Sequence, residues 1–423
     1  MKLLSSHSCK VLGLAAGISL LSLGASLAED ITVWAWDPNF NGAAMEEAAA
    51  RYKENHPDFN LHFEGFAREE VEQKLQTQLA AGTTEGLPDI VLIEDYSAQK
   101  FLLSFPGAFE PLNDAIDYSG FADYKVRLAT VGNETFSMPF DSGVTGWFYR
   151  SDILSEAGYS AADLENITWD RFIEIAKDVA KKTGKPMLSL DLNDPNMVVI
   201  MLQSTGSWFF NEDGSLNLKD NPAFHAVMET YGKILQSPEI YKPVNGWAEY
   251  TGSFTGGDVA STITGVWITG TIKAADMPGQ WAVAPTPRID GVDGAVNASN
   301  LGGSSWYVLA SSDKKDVTKN FLNEIWGNDV EFYQEILVGQ GAVGSLLKVR
   351  EGEAYKSSDP YFNDQPVWQM FSDWLGEIPG VDFGIFTYEV RSAIATQLPA
   401  IANGGDVDEA IEKIDAEARV LTQ

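Results

Sequence analysis

The sequence predicts an α/β protein whose two domains are woven from interleaved segments. Short apolar runs rich in β-branched and aromatic residues alternate with amphipathic helical stretches along the chain. About 395 residues remain after an N-terminal leader, enough to fill two sizeable cores. No internal repeat and no low-complexity linker divides them, so two cores have to exchange segments. Glycine-rich stretches at residues 141–146 and 301–305 are candidate crossing points.

The leader comes first. Lys2 and Lys10 precede a 13-residue apolar run at 11–23, and Ser26-Leu27-Ala28 forms a small-x-small site. This is the pattern of a secretory signal peptide over 1–28, cleaved after Ala28, and the run is too short to span a bilayer. The only cysteine, Cys9, lies before the apolar run, whereas a lipoprotein cysteine lies at the cleavage point. The expected product is therefore a cysteine-free, unlipidated periplasmic protein held together by burial alone.

Residues 31–36 read as a buried strand, followed by a helix that Asn41 can cap, with Met45, Ala48, Ala49 and Tyr52 on one face. Residues 89–93 form a second buried strand after the Gly86-Leu87-Pro88 break. Thr168 caps a helix with Phe172, Ile175, Ala176 and Val179 inward, and Asn221-Pro222 opens another with Phe224, Val227, Met228 and Tyr231 inward. The last helix starts at Asp406, with Glu409 completing a capping box and Val407, Ala410, Ile411 and Ile414 as its stripe.

Charge excludes some partners. Sixty acidic residues stand against 29 basic ones, a net charge of −31, and two of those lysines belong to the leader. Phosphate backbones and anionic lipid would be repelled, so neither nucleic acid nor a membrane surface is expected as a partner. The acids are scattered, which suits solubility; attraction of a cationic ligand such as a polyamine is the alternative. No phosphate loop, dinucleotide fingerprint or nucleophile elbow occurs. Beyond the leader only His56, His62 and His225 remain, none at metal-ligand spacing, and the 191–196 Asp/Asn cluster lacks the glycine and distal glutamate of a calcium loop. No cofactor and no metal are expected, and no carboxylate pair singles itself out for glycoside hydrolysis.

The positive signal is aromatic and polar together. Twelve tryptophans occur, several beside Asp, Asn or Gly at the ends of apolar runs. A pyranose packs its apolar face on an aromatic ring while its hydroxyls seek fixed donors and acceptors. Trp34, Trp306 and Trp326 sit inside a strand or on a helix stripe and are expected to be core. Ligands of open α/β sheets bind beyond the carboxyl ends of strands. There lie Trp36-Asp37 after the first strand, Glu94-Asp95-Tyr96 after the second, and Asn41 at a helix start.

The ordered segments ITVWAWDPNFNGAAMEEAAARYKENHPD, LPDIVLIEDYSAQKFL, GNETFSMPFDSGVTGWFYRSDILSEAGY, ITWDRFIEIAKDVA, FTGGDVASTITGVW and NLGGSSWYVLASSDKK cover essentially the whole chain beyond the leader. Their series resembles the family 1 extracellular solute-binding proteins of carbohydrate ABC importers, the group that includes maltose-binding protein. The resemblance implies a type II periplasmic binding protein fold: two α/β lobes joined by hinge strands, closing on a ligand between them. It implies lobes of 29–141 with 302–348 and 142–301 with 349–423, a monomer, a sugar ligand, and importer permease subunits as partners. By position, Trp36, Asp37 and Asn41 match the first ligand loop, and Glu94, Asp95 and Tyr96 the second. Asp141 and Ser142 match the hinge after Met-Pro-Phe, Trp267 a stacking tryptophan, and Gly302, Gly303 and Ser304 the return hinge. Trp208 and Trp247 are further loop candidates. Thr387 replaces a stacking tryptophan of maltose-binding protein, with Phe386 beside it, which sets the chain apart from maltodextrin binders. A polyamine on the same scaffold and a secreted glycoside hydrolase are the competing readings.

Overall fold

The computed structural model describes residues 29–211 and 213–423; the expected leader, 1–28, lies outside the described residues. β1 (Glu29–Ala35) runs into α1 (Ala43–Asn55) and β2 (Phe59–Gly65), and α2 (Arg68–Ala81) leads to β3 (Ile90–Glu94). β1 lies between β2 and β3, parallel to both. Ile31, Val33 and Ala35 are buried on one face and Trp34 on the other, as a strand covered on both sides requires.

α3 (Asp95–Ser104) starts at the end of β3, and α4 (Asp123–Leu128) and a small hairpin, β4 (Thr130–Val131) with β5 (Glu134–Thr135), follow. Then comes β6 (Ser137–Arg150), fourteen residues long and buried throughout. The chain continues through α5 (Ser151–Ala157), α6 (Trp169–Thr183), β7 (Leu188–Leu190), α7 (Asn196–Gln203), α8 (Pro222–Leu235), β8 (Tyr241–Pro243), α9 (Gly246–Thr255), β9 (Ser261–Gly265), α10 (Thr269–Lys273) and β10 (Trp281–Ala284). It returns along β11 (Asn300–Val308) to α11 (Lys315–Phe321) and α12 (Val330–Gln340). It closes with α13 (Glu353–Lys356), α14 (Val367–Leu375), α15 (Thr387–Ala402) and α16 (Val407–Leu421).

The sheet order is β10-β6-β11-β3-β1-β2, with β9 also on β6. The first part of β6 pairs with β11, which passes the sheet on to β3. Its last part pairs with β9 and β10. One strand is thus common to two sheet halves, the architecture of a two-lobed α/β protein.

The two glycine-rich stretches run side by side in β6 and β11, with register shifts around Gly303 and Ser304. Gly302 and Gly303 have φ of +83° and +93°, open to glycine at little cost. A Cβ on Gly143 would lie 2.1 Å from the Leu301 carbonyl oxygen, so the strands approach more closely than any side chain permits.

The helix expectations hold at α6 and α8, whose caps Thr168 and Asn221 accept from the first-turn backbone and whose inward residues are all buried. Two details differ. Asn41 does not cap α1: Asp37 takes that place, accepting from the N–H groups of Asn39 and Phe40 and starting a π-helical turn over Pro38–Gly42. Proline at the first position favours the earlier start. At α16, Asp406 accepts from Glu409 N at 2.9 Å, but the Glu409 carboxylate goes to Lys413, so half of the capping box forms.

Candidate functional site

Strand ends and hinge enclose a cleft of about 400 Å³. Trp36, Asp37, Phe40 and Asn41 come from the turn after β1, Arg68 from the start of α2, and Glu94 from the end of β3. Asp141, Gly303 and Ser304 come from the adjoining hinge strands, and Trp267 from the turn after β9. Eight of the residues expected from sequence therefore meet in one place.

Their chemistry is that of hydroxyl recognition. Asn41 is buried, yet its Oδ1 has no partner among the described residues, an expensive state for an amide oxygen unless a ligand donor meets it. Asp141 accepts from Ser304 N at 2.8 Å and Ser304 Oγ at 2.5 Å, while burial pushes its carboxyl above the usual range. Glu94 accepts from the Tyr388 hydroxyl at 2.5 Å and lies 3.8 Å from Arg68 Nη1. Burial pushes Glu94 up to about 7, with Arg68 holding against it.

A second, inner chamber of about 200 Å³ shares Trp267 with the cleft. Asp191, Asp194, Asn196, Trp247, Tyr250 and Thr264 are among its walls. Trp267 Nε1 donates to Leu301 O at 2.8 Å, so its donor is spent on the hinge and the ring is what it can offer a ligand. Trp247, more than half exposed, stands with its ring centroid 5.8 Å from that of Trp267. It is carried by α9, not by the loop expected from sequence.

Other expected residues lie elsewhere. Asp95 turns beneath β11, where Lys125 Nζ donates to it at 2.6 Å; a Cβ on Gly303 would lie 2.6 Å from Asp95 Oδ2. Burial raises this acid to about 6 against the pull of Lys125. Tyr96 is buried, donating to Asn300 O at 3.3 Å. Ser142 is buried in β6, and Gly302 lies beside Trp267 without lining the cleft. Trp208 is a core residue: it is 2% exposed, packs 4.7 Å from Phe383, and donates Nε1 to Thr387 Oγ1 at 3.2 Å. Phe386 is half-buried ahead of α15 and lines neither cavity. Trp34, Trp306 and Trp326 are core as expected.

Arg68, Tyr388, Arg391 and the walls of the inner chamber other than Trp247 and Trp267 carry no signal in the sequence that marks them as site residues. The 191–196 cluster was visible and reads as a turn, which it is: Asp191 and Asp194 accept from the N–H groups of Asn193 and Asn196. It is also a chamber wall, held by Arg391, which donates to Asn196 Oδ1 at 2.6 Å. Arg68 and Arg391 lay on helices with no local mark of function. Among the described residues no three side chains are grouped to hold a metal ion.

Residues 47–362 match the family described as bacterial extracellular solute-binding protein. The chain is 52% identical over 401 residues to a lactose-binding protein of Rhizobium radiobacter, covering 95% of this chain and 94% of that one. It is 27% identical over 289 residues to an arabinooligosaccharide-binding protein of Halalkalibacterium halodurans, covering 66% and 63%. Among solved structures, the galacto-N-biose/lacto-N-biose I-binding protein of a Bifidobacterium longum ABC transporter aligns with a TM-score of 0.73 at 20% identity. That alignment covers 93% of this chain and 96% of that one. The sugar-binding protein MalE of Xanthomonas citri aligns at 0.77 and 17% identity, over 93% and 97%. At such identities these structures speak for the two-lobed fold alone. The family match and the long lactose-binding relative carry the assignment: the chain belongs to the bacterial extracellular solute-binding proteins, a family of binding proteins and not of enzymes.

Proposed function

We propose that this protein is the periplasmic receptor of an ABC importer and captures lactose, or a closely similar galactosyl disaccharide, for delivery to the permease. The observation that carries the reading is Trp267 shared by two cavities, each rimmed by short acid, amide and hydroxyl side chains. A disaccharide presents two rings for the two spaces and an apolar face for the indole. The 52% identity to a lactose-binding protein supports the choice of sugar. The lobes would be 29–141 with 302–348 and 142–301 with 349–423, closing about β6 and β11 as a monomer, after cleavage of the leader at Ala28.

A cationic ligand is the weaker reading. Of the acids lining the two cavities, Glu94 faces Arg68 and Asp194 faces Arg391, and Asp37 and Asp191 accept from backbone N–H groups of their own turns, so a polyamine would have to compete with contacts the protein already makes.

Titration calorimetry, with tryptophan fluorescence alongside, tests the proposal against lactose, galactose, maltose, an arabinan oligosaccharide and spermidine. Lactose is expected to saturate the signal and spermidine to leave it unchanged. Saturation by spermidine with no response to lactose overturns the reading.

A further inference from the structure

Behind the lining of the cleft lies a buried cation. Lys125, on α4, has a fully buried side chain, and its Nζ donates to Asp95 Oδ1 at 2.6 Å and to Ser304 O at 2.8 Å. Ser304 in turn donates its N–H and its hydroxyl to Asp141 Oδ1. Ser304 and Asp141 line the cleft, and Lys125 and Asp95 do not. Gly303, also in the lining, is wedged between the two acids: a Cβ there would lie 2.6 Å from Asp95 Oδ2 and 3.4 Å from Asp141 O. Two carboxyl groups and one ammonium are thus gathered where α3 and α4 meet the β6–β11 hinge.

The charges of this group do not cancel. Asp95 and Asp141 are both buried, and a buried carboxylate is costly unless a cation or several donors compensate it. Burial raises both carboxyls, and for both the Lys125 ammonium is the largest influence in the other direction. The lysine touches Asp95 directly. It reaches Asp141 through Ser304, whose carbonyl it holds while the N–H and hydroxyl of the same residue hold the acid. Both of those bonds fall on Asp141 Oδ1, which leaves Oδ2 for a hydroxyl in the cleft. An ionised carboxylate accepts such a hydroxyl strongly, and protonation weakens it as an acceptor.

We infer that Lys125 is a positioning residue for ligand capture: through Ser304 it fixes Asp141 at the cleft and keeps that carboxylate ionised for a sugar hydroxyl. This role rests on the sugar-capture reading above. The other titratable groups around the pair of acids are few. Tyr96 on α3, Tyr124 on α4 and Tyr307 on β11 are buried, their hydroxyls are raised by burial, and they add no charge. Asp37, Arg68 and Glu94 line the cleft itself. Glu94, raised to about 7, titrates near neutrality, so Asp141 is read from the difference between variants that leave Glu94 in place. A lysine that only tied α4 to α3 would leave the pH response of binding unmoved.

The test uses the mature full-length protein and lactose calorimetry at pH 8 and pH 5.5, reading for each variant how far Kd weakens between the two. Lys125→Met removes the cation, raises Asp141 further, and should deepen the weakening by about ten-fold relative to wild type. Asp95→Asn keeps the lysine and removes the acid that competes for it, so its weakening should lie at or below the wild-type value. Both substitutions break the same ion pair, so opposite behaviour separates this role from a merely structural one. Should Lys125→Met fail to melt cooperatively, Asp95→Asn/Lys125→Met, which leaves neither partner of the pair charged, must weaken more steeply than Asp95→Asn alone. A folded lysine variant with no deeper weakening than its reference overturns the inference. So does a deeper weakening in both single variants. A wild type that fails to bind lactose at either pH overturns the sugar reading and this inference with it, whereas lactose binding with an unmoved pH response overturns this inference alone.

Discussion

Replacing Trp267 with alanine should abolish most of the ligand affinity while leaving the fold in place. A tryptophan buries about 150–250 Å² when fully enclosed, and Trp267 is already mostly buried, so roughly 50 Å² of ring is free for a ligand. At about 25 cal/mol per Å² that surface is worth about 1.3 kcal/mol, and ring packing adds about 0.5–1.5 kcal/mol. A loss of about 2 kcal/mol is a roughly thirty-fold weaker Kd. The stability cost is smaller. The ring is not part of the fully buried core, and its one polar contact, to Leu301 O, contributes about 1 kcal/mol. Trp267→Phe keeps a ring and removes that donor, so it should lose about ten-fold in affinity. Calorimetry with lactose, paired with a thermal melt of each variant, reads both quantities. A folded Trp267→Ala protein binding lactose within about three-fold of wild type would remove the indole from the site.

Other perturbations probe the hinge and its buried charges. Gly143→Ala puts a methyl group 2.1 Å from Leu301 O, so denaturant unfolding should show a loss of at least about 2 kcal/mol. Asp95→Ala leaves Lys125, whose side chain is fully buried, without its carboxylate, and the same assay should show a loss of about 3–5 kcal/mol. The ligand-free protein should melt at a higher temperature at pH 5.5 than at pH 8. Glu94 and Asp95 are raised to about 7 and about 6, so the folded state holds protons that the unfolded chain has released, and stability falls as pH climbs through those values. Acids held low by local hydrogen bonds, such as Asp163 and Asp178, lose their contribution only below the ordinary carboxylate range, outside that window. Scanning calorimetry at the two pH values checks the sign; a higher melting temperature at pH 8 contradicts it.

Much of the fold could be read from local pattern because the signals were local. Thr168 and Asn221 cap their helices whatever surrounds them, and the buried stripe of α6 follows from spacing alone. The candidate cleft was legible at strand ends: Trp36, Asp37 and Glu94 follow β1 and β3 directly and line it. Sequence adjacency does not bring Asp95 and Tyr96 into the lining of that cleft. α3 begins at Asp95, and its first turn carries both side chains away from the cleft mouth, toward Lys125 and Asn300. Trp208 lies in the core for another reason. Nothing local says that Phe383 and Thr387, more than a hundred residues later, will cover it. Arg68 and Arg391 gain their meaning only from carboxylates and amides brought in from distant segments, which no spacing rule reaches.

The order in which the strands are made has a bearing on when this chain can fold. β3 is synthesised early, yet the neighbour that joins it to β6 is β11, with Glu94 opposite Ser304. Until that late strand exists, β3 keeps an open edge and β6 has nothing to connect it to the β1–β2 layer. Pairings of such long sequence separation form slowly. A growing chain of this topology therefore cannot complete the joint between its two sheet halves until most of it has been made.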